Sequence, residues 1–210
     1  MGKKVKRKIS IKGLLFLILI IYLIGSIFYY LFTMPIKNII INGNNYVTDE
    51  EIIKTSGLEN YPNIFRISSL KIKKELKQNT LIKDVKISKN LLGKITINIT
   101  ENEPLFYNIL THKTILEDER DTDKTIIGIP TLINYVPTDI YSDLINGLSK
   151  IDRNILTNIS EIEYSPSKNG EIVFDESRFI LRMNDGNTVY INTPNIKKLN
   201  NYNIIYSEIS

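Results

Sequence analysis

A run of twenty uncharged residues near the start of the chain limits its possible folds more than any other feature. Residues 13–32 read GLLFLILIIYLIGSIFYYLF. As an α-helix this stretch is about 30 Å long, the thickness of the hydrocarbon core of a bilayer. A cleaved signal peptide is the alternative, but its apolar region is usually about 7–15 residues long and ends in small residues. Here the stretch ends in FYYLF, aromatic residues that favour a membrane interface, so we expect an uncleaved transmembrane helix over residues 13–32.

Positive charge is concentrated in front of this helix. The whole chain has a net charge of +4 and residues 1–12 contribute +6, so the remainder has a net charge of −2. An excess of Lys and Arg before a span predicts a cytoplasmic N-terminus, with residues 33–210 on the outer side of the membrane. A folded part without a basic excess argues against nucleic-acid binding. The residues of this topology signal are Lys3, Lys4, Lys6, Arg7, Lys8 and Lys12.

The chain lacks the residues on which most catalytic and metal sites depend. It has no Cys, which excludes disulfides and thiolate metal sites, and only one His, at position 112. One imidazole argues against a His-based metal cluster or a Ser-His-Asp triad. The acidic stretch over residues 117–124 has no Gly where a calcium loop needs one, which indicates a solvated loop. Glu101 and Glu103 are expected on the polar face of a sheet, and the sequence indicates no cofactor.

The first part of the outer region predicts a small β-α-α-β-β unit. Ile36–Asn42 is rich in β-branched residues and ends at Gly43-Asn44, a turn signal. Thr48 with Glu51 forms a capping box for a helix that ends at Gly57. A second helix is predicted over residues 70–79, and period-2 alternation predicts a hairpin with strands over 85–88 and 95–100. A three-stranded sheet with both helices on one face is the simplest way to bury the isoleucine rows.

The region 105–210 predicts a second, mostly-β (α+β) domain. Apolar residues at helical spacing indicate a helix over residues 141–155, and another helix is predicted over 196–205. Strands are predicted in SEIEYSP, GEIVFD and FILRMNDGNTVYI, the last with Asp185-Gly186 as a hairpin turn.

These features together resemble the bacterial cell-division family called FtsQ in some lineages and DivIB in others. The order of a basic tail, one span, and then the strand, turn and capped helix of IIINGNNYVTDEEI is similar to that family. The most specific match is LIKDVKISKNLLGKITINITENEPLF at residues 81–106. Two departures are Asn79-Thr80, where the family often has Pro, and an end at Ser210, where the family usually adds a strand. Further similar motifs are NIFRI (63–67), ISEIEYSP (159–166), RMNDGNTVYI (182–191) and KKLNNYNII (197–205).

The resemblance implies both the architecture and the function. It implies a tail (1–12), a transmembrane helix (13–32), a POTRA-like domain (36–104) and a β domain (105–210). It also implies a non-catalytic scaffold at the division septum. Its expected partners are small bitopic coiled-coil division proteins of the FtsL/DivIC type and the septal peptidoglycan synthase complex. The implied contact lies in the C-terminal segment around Lys197–Tyr206.

Two further functions are open from the residues alone. An anchored extracellular cell-wall enzyme requires a concave site with converging carboxylates or a Ser/Lys pair. A POTRA chaperone or translocation module requires repeated units or a barrel, and this sequence shows one unit. The scaffold interpretation instead needs an open sheet edge to which a partner strand can add. The predicted partner-binding residues are Val85, Lys86, Ile87 and Ser88 on an edge strand, and Leu199, Tyr202, Ile204 and Tyr206 near the C-terminus.

Overall fold

The computed structural model describes residues 10–169 and 172–209, beginning with a long apolar helix. Helix α1, Ile11–Thr33, has 23 residues and a mean hydropathy of 2.5 over its most apolar window, enough to cross a membrane. It begins two residues earlier than predicted because the Ser10 hydroxyl accepts the Gly13 N–H at 3.1 Å and caps it. Lys12 of the topology signal lies in α1. The other five, Lys3, Lys4, Lys6, Arg7 and Lys8, lie outside the described residues.

The chain divides into two compact units. The first comprises Met1–Asn42, Asp49–Leu76 and Val85–Asn98, and the second comprises Gly43–Thr48, Lys77–Asp84 and Ile99–Ser210. These ranges differ from domains over 36–104 and 105–210, and the predicted boundary stays a prediction.

The β-α-α-β-β order that the sequence predicts is present. A three-stranded sheet has the order β1-β3-β2, with β1 parallel to β3 from Asn38↔Lys94 to Asn42↔Asn98. In β3 the buried positions alternate with exposed ones, and Ile95 and Ile97 are fully buried. The two helices bury Ile52, Ile72 and Leu76. The elements are β1 Asn38–Asn42, α2 Asp49–Thr55, α3 Ser69–Leu76, β2 Ile82–Lys89 and β3 Lys94–Glu101.

The second unit contains a seven-stranded sheet of mixed direction in the order β12-β11-β8-β7-β4-β5-β6, and a separate β9-β10 pair. The Asp185-Gly186 hairpin forms as predicted, with Gly186 at φ +89°. The predicted acidic loop instead contains the short strand β6, which pairs with β5. The strands are β4 Pro104–Asn108, β5 Lys113–Leu116, β6 Asp121–Thr122, β7 Thr131–Leu132, β8 Ile159–Tyr164, β9 Ser167–Asn169, β10 Ile172–Asp175, β11 Arg178–Met183 and β12 Thr188–Asn192.

Helical segments cover a hydrophobic core in this second unit. The helix predicted over 141–155 is two helices, α4 Thr138–Leu148 and α5 Arg153–Leu156. The predicted final helix is a 3₁₀ segment, Thr193–Asn201, followed by α6, Tyr202–Ile209. The core combines Phe106 and Phe179 from the sheet with Leu144 from α4 and Ile196 from the 3₁₀ segment. Strand β11 and the 3₁₀ segment therefore contribute side chains to the folded core.

Candidate interaction surfaces

Strand β12 forms an open edge of the large sheet. It pairs with β11 on one side, from Arg178↔Asn192 to Arg182↔Thr188, and it is the end strand of the sheet. The Thr193 N–H donates to the Ser177 carbonyl at 3.2 Å, and the Met183 N–H donates to the Asn187 carbonyl at 2.9 Å. In an antiparallel pair only alternate residues bond across the ladder. Odd-numbered residues of β12 therefore face β11, and the backbone groups of Thr188, Tyr190 and Asn192 point to the open side.

An aromatic and cationic groove lies beside this edge. Its volume is about 360 Å³, and its lining includes Arg178, Tyr190 and Lys198. The Tyr190 side chain is 64% exposed, and the Arg178 guanidinium carbon lies 5.7 Å from its ring centroid. Ile172 and Phe174 of β10 are also exposed. Apolar side chains and donors beside unpaired backbone groups suit recognition of an extended peptide.

The C-terminal contact prediction needs correction at two residues. Leu199 and Tyr202 are only 4% and 9% exposed and belong to the hydrophobic core, so neither presents a surface to a partner. Leu199 is inward because the 3₁₀ segment packs its buried apolar residues into this core, and Tyr202, the first residue of α6, belongs to the same core. Ile204 is exposed, as a contact residue must be. Tyr206 has a helical backbone in α6, and its side chain lies outside the described residues.

A hydrogen-bonded clamp ties the C-terminal segment to the β11–β12 turn. The Tyr202 hydroxyl donates to Asp185 Oδ2 at 2.7 Å and accepts from Asn187 Nδ2 at 2.9 Å. Burial opposes ionisation of Asp185, but the hydrogen bonds from Tyr202 and Asn187 outweigh it, and the pKa of Asp185 is lowered. A carboxyl whose pKa is lower in the folded state stabilises the fold above its unfolded pKa, and this contribution is lost as pH falls through the folded pKa.

We expect Tyr202→Phe to destabilise the fold by about 1 kcal/mol at neutral pH, the usual contribution of one hydrogen bond. The difference from wild type should shrink below about pH 4, because Asp185 is then protonated in the unfolded chain and progressively in the folded one. NMR titration of the Asp185 carboxyl should show its pKa moving up toward the ordinary value. Tyr190→Phe removes a hydroxyl from an exposed ring and serves as the control. An unchanged Asp185 titration in Tyr202→Phe would contradict the clamp.

The strand over residues 85–88, which the sequence predicts as a sheet edge, belongs to β2 and lies at an edge. β2 is an outer strand of its sheet, as the predicted fold requires. Lys86 and Ser88 are exposed and Ile87 is half-buried, whereas Val85 is 1% exposed and belongs to the buried face. A partner at this edge therefore meets Lys86, Ile87 and Ser88, while the Val85 side chain contributes to packing. Binding at this edge stays a prediction.

Glu101 is a buried structural anion, and its expected place on a polar sheet face is wrong. Its side chain accepts hydrogen bonds from the backbone N–H groups of Asn45 (2.7 Å), Tyr46 (2.9 and 3.1 Å) and Val47 (2.8 Å). The residue is 8% exposed because it follows Ile99 by two positions and shares its buried face. Glu103 instead accepts from the Tyr46 hydroxyl at 3.3 Å. The two carboxylates therefore have separate structural partners.

Charged residues in and beside the acidic loop (117–124) form ion pairs, and the single histidine lies next to a tyrosine hydroxyl. Lys113 pairs with Asp121 at 2.9 Å, and Arg120 pairs with Asp118 at 2.7 Å. His112 Nδ1 lies 3.3 Å from the Tyr107 hydroxyl. Within residues 10–169 and 172–209, no group of three or more His, Asp or Glu side chains is placed to hold a metal ion.

The β12 edge was missed at the sequence level although its hairpin was predicted. Asp185-Gly186 shows that β11 and β12 pair, but only the order of all seven strands shows which of them is outermost. That order depends on parallel neighbours far apart in sequence, such as β4 with β7.

Comparison with known proteins agrees with this architecture. Residues 34–102 match the POTRA domain of the FtsQ type. The chain is 30% identical to the cell division protein DivIB of Listeria monocytogenes over 220 residues, covering 99% of this chain and 79% of that protein. It is 29% identical to DivIB of Bacillus subtilis, covering 99% and 81%.

A solved structure is also similar. It is the major extracytoplasmic domain, trans isomer, of DivIB from Geobacillus stearothermophilus, with 23% identity and a TM-score of 0.39. The similarity covers 49% of this chain and 89% of that chain. By its identity to the DivIB relatives over almost its whole length, together with its FtsQ-type POTRA domain, the chain belongs to the FtsQ/DivIB family of bacterial cell-division proteins.

Proposed function

We propose that this single-pass membrane protein is a non-catalytic scaffold of the division complex, and that it captures an extended partner segment on the open edge of β12. The observation that carries this proposal is the outward backbone of Thr188, Tyr190 and Asn192 on an end strand. A partner strand pairing there gains main-chain hydrogen bonds. The exposed Tyr190 ring and the groove lined by Arg178 and Lys198 can take its side chains.

The partners we propose are small bitopic coiled-coil proteins of the FtsL/DivIC type, and through them the septal peptidoglycan synthase complex. Membership of a division family and a single apolar helix support this assignment. The basic residues before α1 support a cytoplasmic N-terminus and an extracellular folded part. A scaffold of this kind localises to the septum and holds its partners in register across the membrane.

The decisive substitution is Tyr190→Pro. Proline removes the N–H that points to the open side but none of the bonds to β11, so the hairpin should stay folded. In cells depleted of the wild-type protein we expect filaments. A wild-type copy should restore septation and concentrate at midcell. Tyr190→Pro should fail to restore septation and should capture partner in crosslinking at least about tenfold less, since a lost hydrogen bond and a blocked edge together exceed about 1.4 kcal/mol.

Tyr190→Thr is the matched control, because it removes the ring but keeps the N–H. Its partner capture should lie between wild type and Tyr190→Pro. A folded Tyr190→Pro protein that captures partner at wild-type levels would exclude this edge. Normal septation after depletion, with uniform membrane labelling, would exclude the division role itself.

A further inference from the structure

The segment between α1 and β1 is part of the folded first unit rather than a free linker. Met34 and Ile36 are each 3% exposed. The Ile36 N–H donates to the Pro62 carbonyl at 3.0 Å, and the Ile64 N–H donates to the Met34 carbonyl at 3.2 Å. The α2–α3 loop therefore lies against the residues that immediately follow the membrane-crossing helix.

Two loops are bonded directly to the end of α1 and its exit. Asn63 Nδ2 donates to the Leu31 carbonyl, in the last turn of α1, at 3.1 Å. On the hairpin side, the Gly93 carbonyl accepts the Lys37 N–H at 2.8 Å. A Cβ on Gly93 would come within 2.9 Å of Met34 Cε, so the β2–β3 turn packs closely on the exit. Residues 61–66 and 90–93 are thus held beside the last turn of α1 and the residues that follow it.

Both loops carry large apolar side chains in exposed positions. Leu91 and Leu92, at the tip of the β2–β3 turn, are 71% and 73% exposed. Tyr61 and Phe65, in the α2–α3 loop, are exposed as well, and Tyr61 has a strained φ of +46°. Asn90 Oδ1 accepts the N–H groups of Leu92 and Lys94 at 3.0 and 2.9 Å, which holds the turn in shape. Exposed apolar side chains on rigid loops mark an interaction surface.

Basic residues outnumber acidic ones around these loops, where Glu59, two residues before Tyr61, is the nearest acidic residue in sequence. Residues 60–74 and 85–94 contain no Asp or Glu. The basic side chains Lys37, Arg66, Lys89 and Lys94 are exposed within or beside the two loops. Apolar side chains ringed by basic ones are typical of surfaces that enter the boundary between headgroups and acyl chains, at a depth of about 5–10 Å.

We propose that Tyr61, Phe65, Leu91 and Leu92 form a second membrane contact, in which they insert into the outer interface of the bilayer that α1 crosses. Helix α1 has 23 residues and so a length of about 35 Å, which places its last turn in the headgroup layer. Tyr61 and Phe65 are each two residues from Asn63, which bonds that turn. The contact fixes the tilt of the first unit on the membrane surface. It depends on α1 crossing the bilayer and is independent of the β12 edge.

The absence of Cys allows single-cysteine probes on the full chain. The chain is reconstituted in phosphatidylcholine vesicles with or without phosphatidylglycerol, and an environment-sensitive fluorophore is attached to Leu92→Cys or Phe65→Cys. The control is Asn98→Cys, which is exposed on the same β3 strand as Lys94 but about 13 Å further along it. Lipids carrying a quencher near the headgroup should quench the Leu92 and Phe65 probes at least about threefold more than the Asn98 probe.

Replacing Leu91 and Leu92 together tests whether the two loops enter the membrane as one contact. In the double variant Leu91→Ser/Leu92→Ser, quenching of the Phe65 probe should fall at least about twofold, because the shared contact loses half of its large apolar side chains. Removing phosphatidylglycerol should weaken quenching less than this double change. Equal, water-like quenching at Leu92 and Asn98 in both vesicle types would overturn the proposal. A Leu92 probe that leaves water only when membrane extract is added would overturn it in favour of a protein partner.

Discussion

We expect Glu101→Gln to destabilise the folded chain by about 3–5 kcal/mol, among the largest effects of any single polar substitution here. Glu101 accepts hydrogen bonds from three consecutive backbone N–H groups, at Asn45, Tyr46 and Val47, in a site that is almost fully buried. An amide keeps one acceptor oxygen and turns an NH₂ group toward donors, which leaves at least one buried N–H unpaired. Guanidinium unfolding of the full chain in micelles, followed by the fluorescence of its 12 tyrosines, measures the change.

Glu103→Gln is the matched control for this substitution. Glu103 lies two residues further along and accepts from the exposed Tyr46 hydroxyl, with Arg153 at 3.8 Å. Exposed pairs of this kind contribute about 0–1 kcal/mol. If Glu101→Gln and Glu103→Gln unfold at the same guanidinium concentration, the carboxylate at position 101 does not hold the 45–47 segment.

The second large effect is expected at Gly43. Its φ is +80°, and a Cβ at this position would lie 2.2 Å from the Ile99 carbonyl oxygen. A positive φ alone costs an alanine roughly 1–2 kcal/mol, and contact with a backbone oxygen cannot be relieved by rotating a side chain. We expect Gly43→Ala to lose about 3–5 kcal/mol in the same unfolding measurement.

Gly186 separates the cost of a positive φ from the cost of the contact with a backbone oxygen. It has a similar φ of +89° in the β11–β12 turn, but nothing lies within 4 Å of a Cβ placed there. Gly186→Ala should therefore show only the conformational cost of about 1–2 kcal/mol. Equal losses for the two alanine variants would mean that the chain at Gly43 moves away from Ile99 at little cost.

Local pattern accounts for most elements that the sequence predicted correctly. Alternation over 95–100 and the Asp185-Gly186 turn each use neighbours within a few residues, and both hairpins are present. Gly57, with φ +66°, ends the helical turn after α2 as predicted. Signals of this kind are strong because turn and cap chemistry acts over short distances.

The same alternation could have located Glu101. Ile95, Ile97 and Ile99 occupy the buried face of β3, and position 101 is in phase with them. Its charge alone instead favours the polar face of the sheet. Its partners are 54 to 56 residues earlier in the chain, and no local signal shows that three N–H groups converge there. The two-residue period of β3 determines that Glu101 faces inward, and the distant 45–47 segment supplies the hydrogen bonds that the carboxylate accepts.

The C-terminal surface shows the opposite error. Leu199 and Tyr202 lie in the segment that the resemblance implies as a contact, yet apolar residues in a helix are usually those that pack inward. The edge at β12 needed the full strand order, which depends on pairings such as β7 with β8. No short window of sequence shows which distant strands will pair in this way.

The parallel pairing of β1 with β3 has a consequence for the order in which the molecule matures. Asn38–Asn42 cannot pair until Lys94–Asn98 is available, 56 residues later. Glu101 then closes on the 45–47 segment from a similar distance. Closing such loops delays folding relative to local hairpins. If the outer part of the chain crosses the membrane starting at residue 33, the strand nearest the bilayer waits, unpaired, until residues 94–98 have also crossed, and residues 38–42 are the stretch that a chaperone or quality-control protease would meet first.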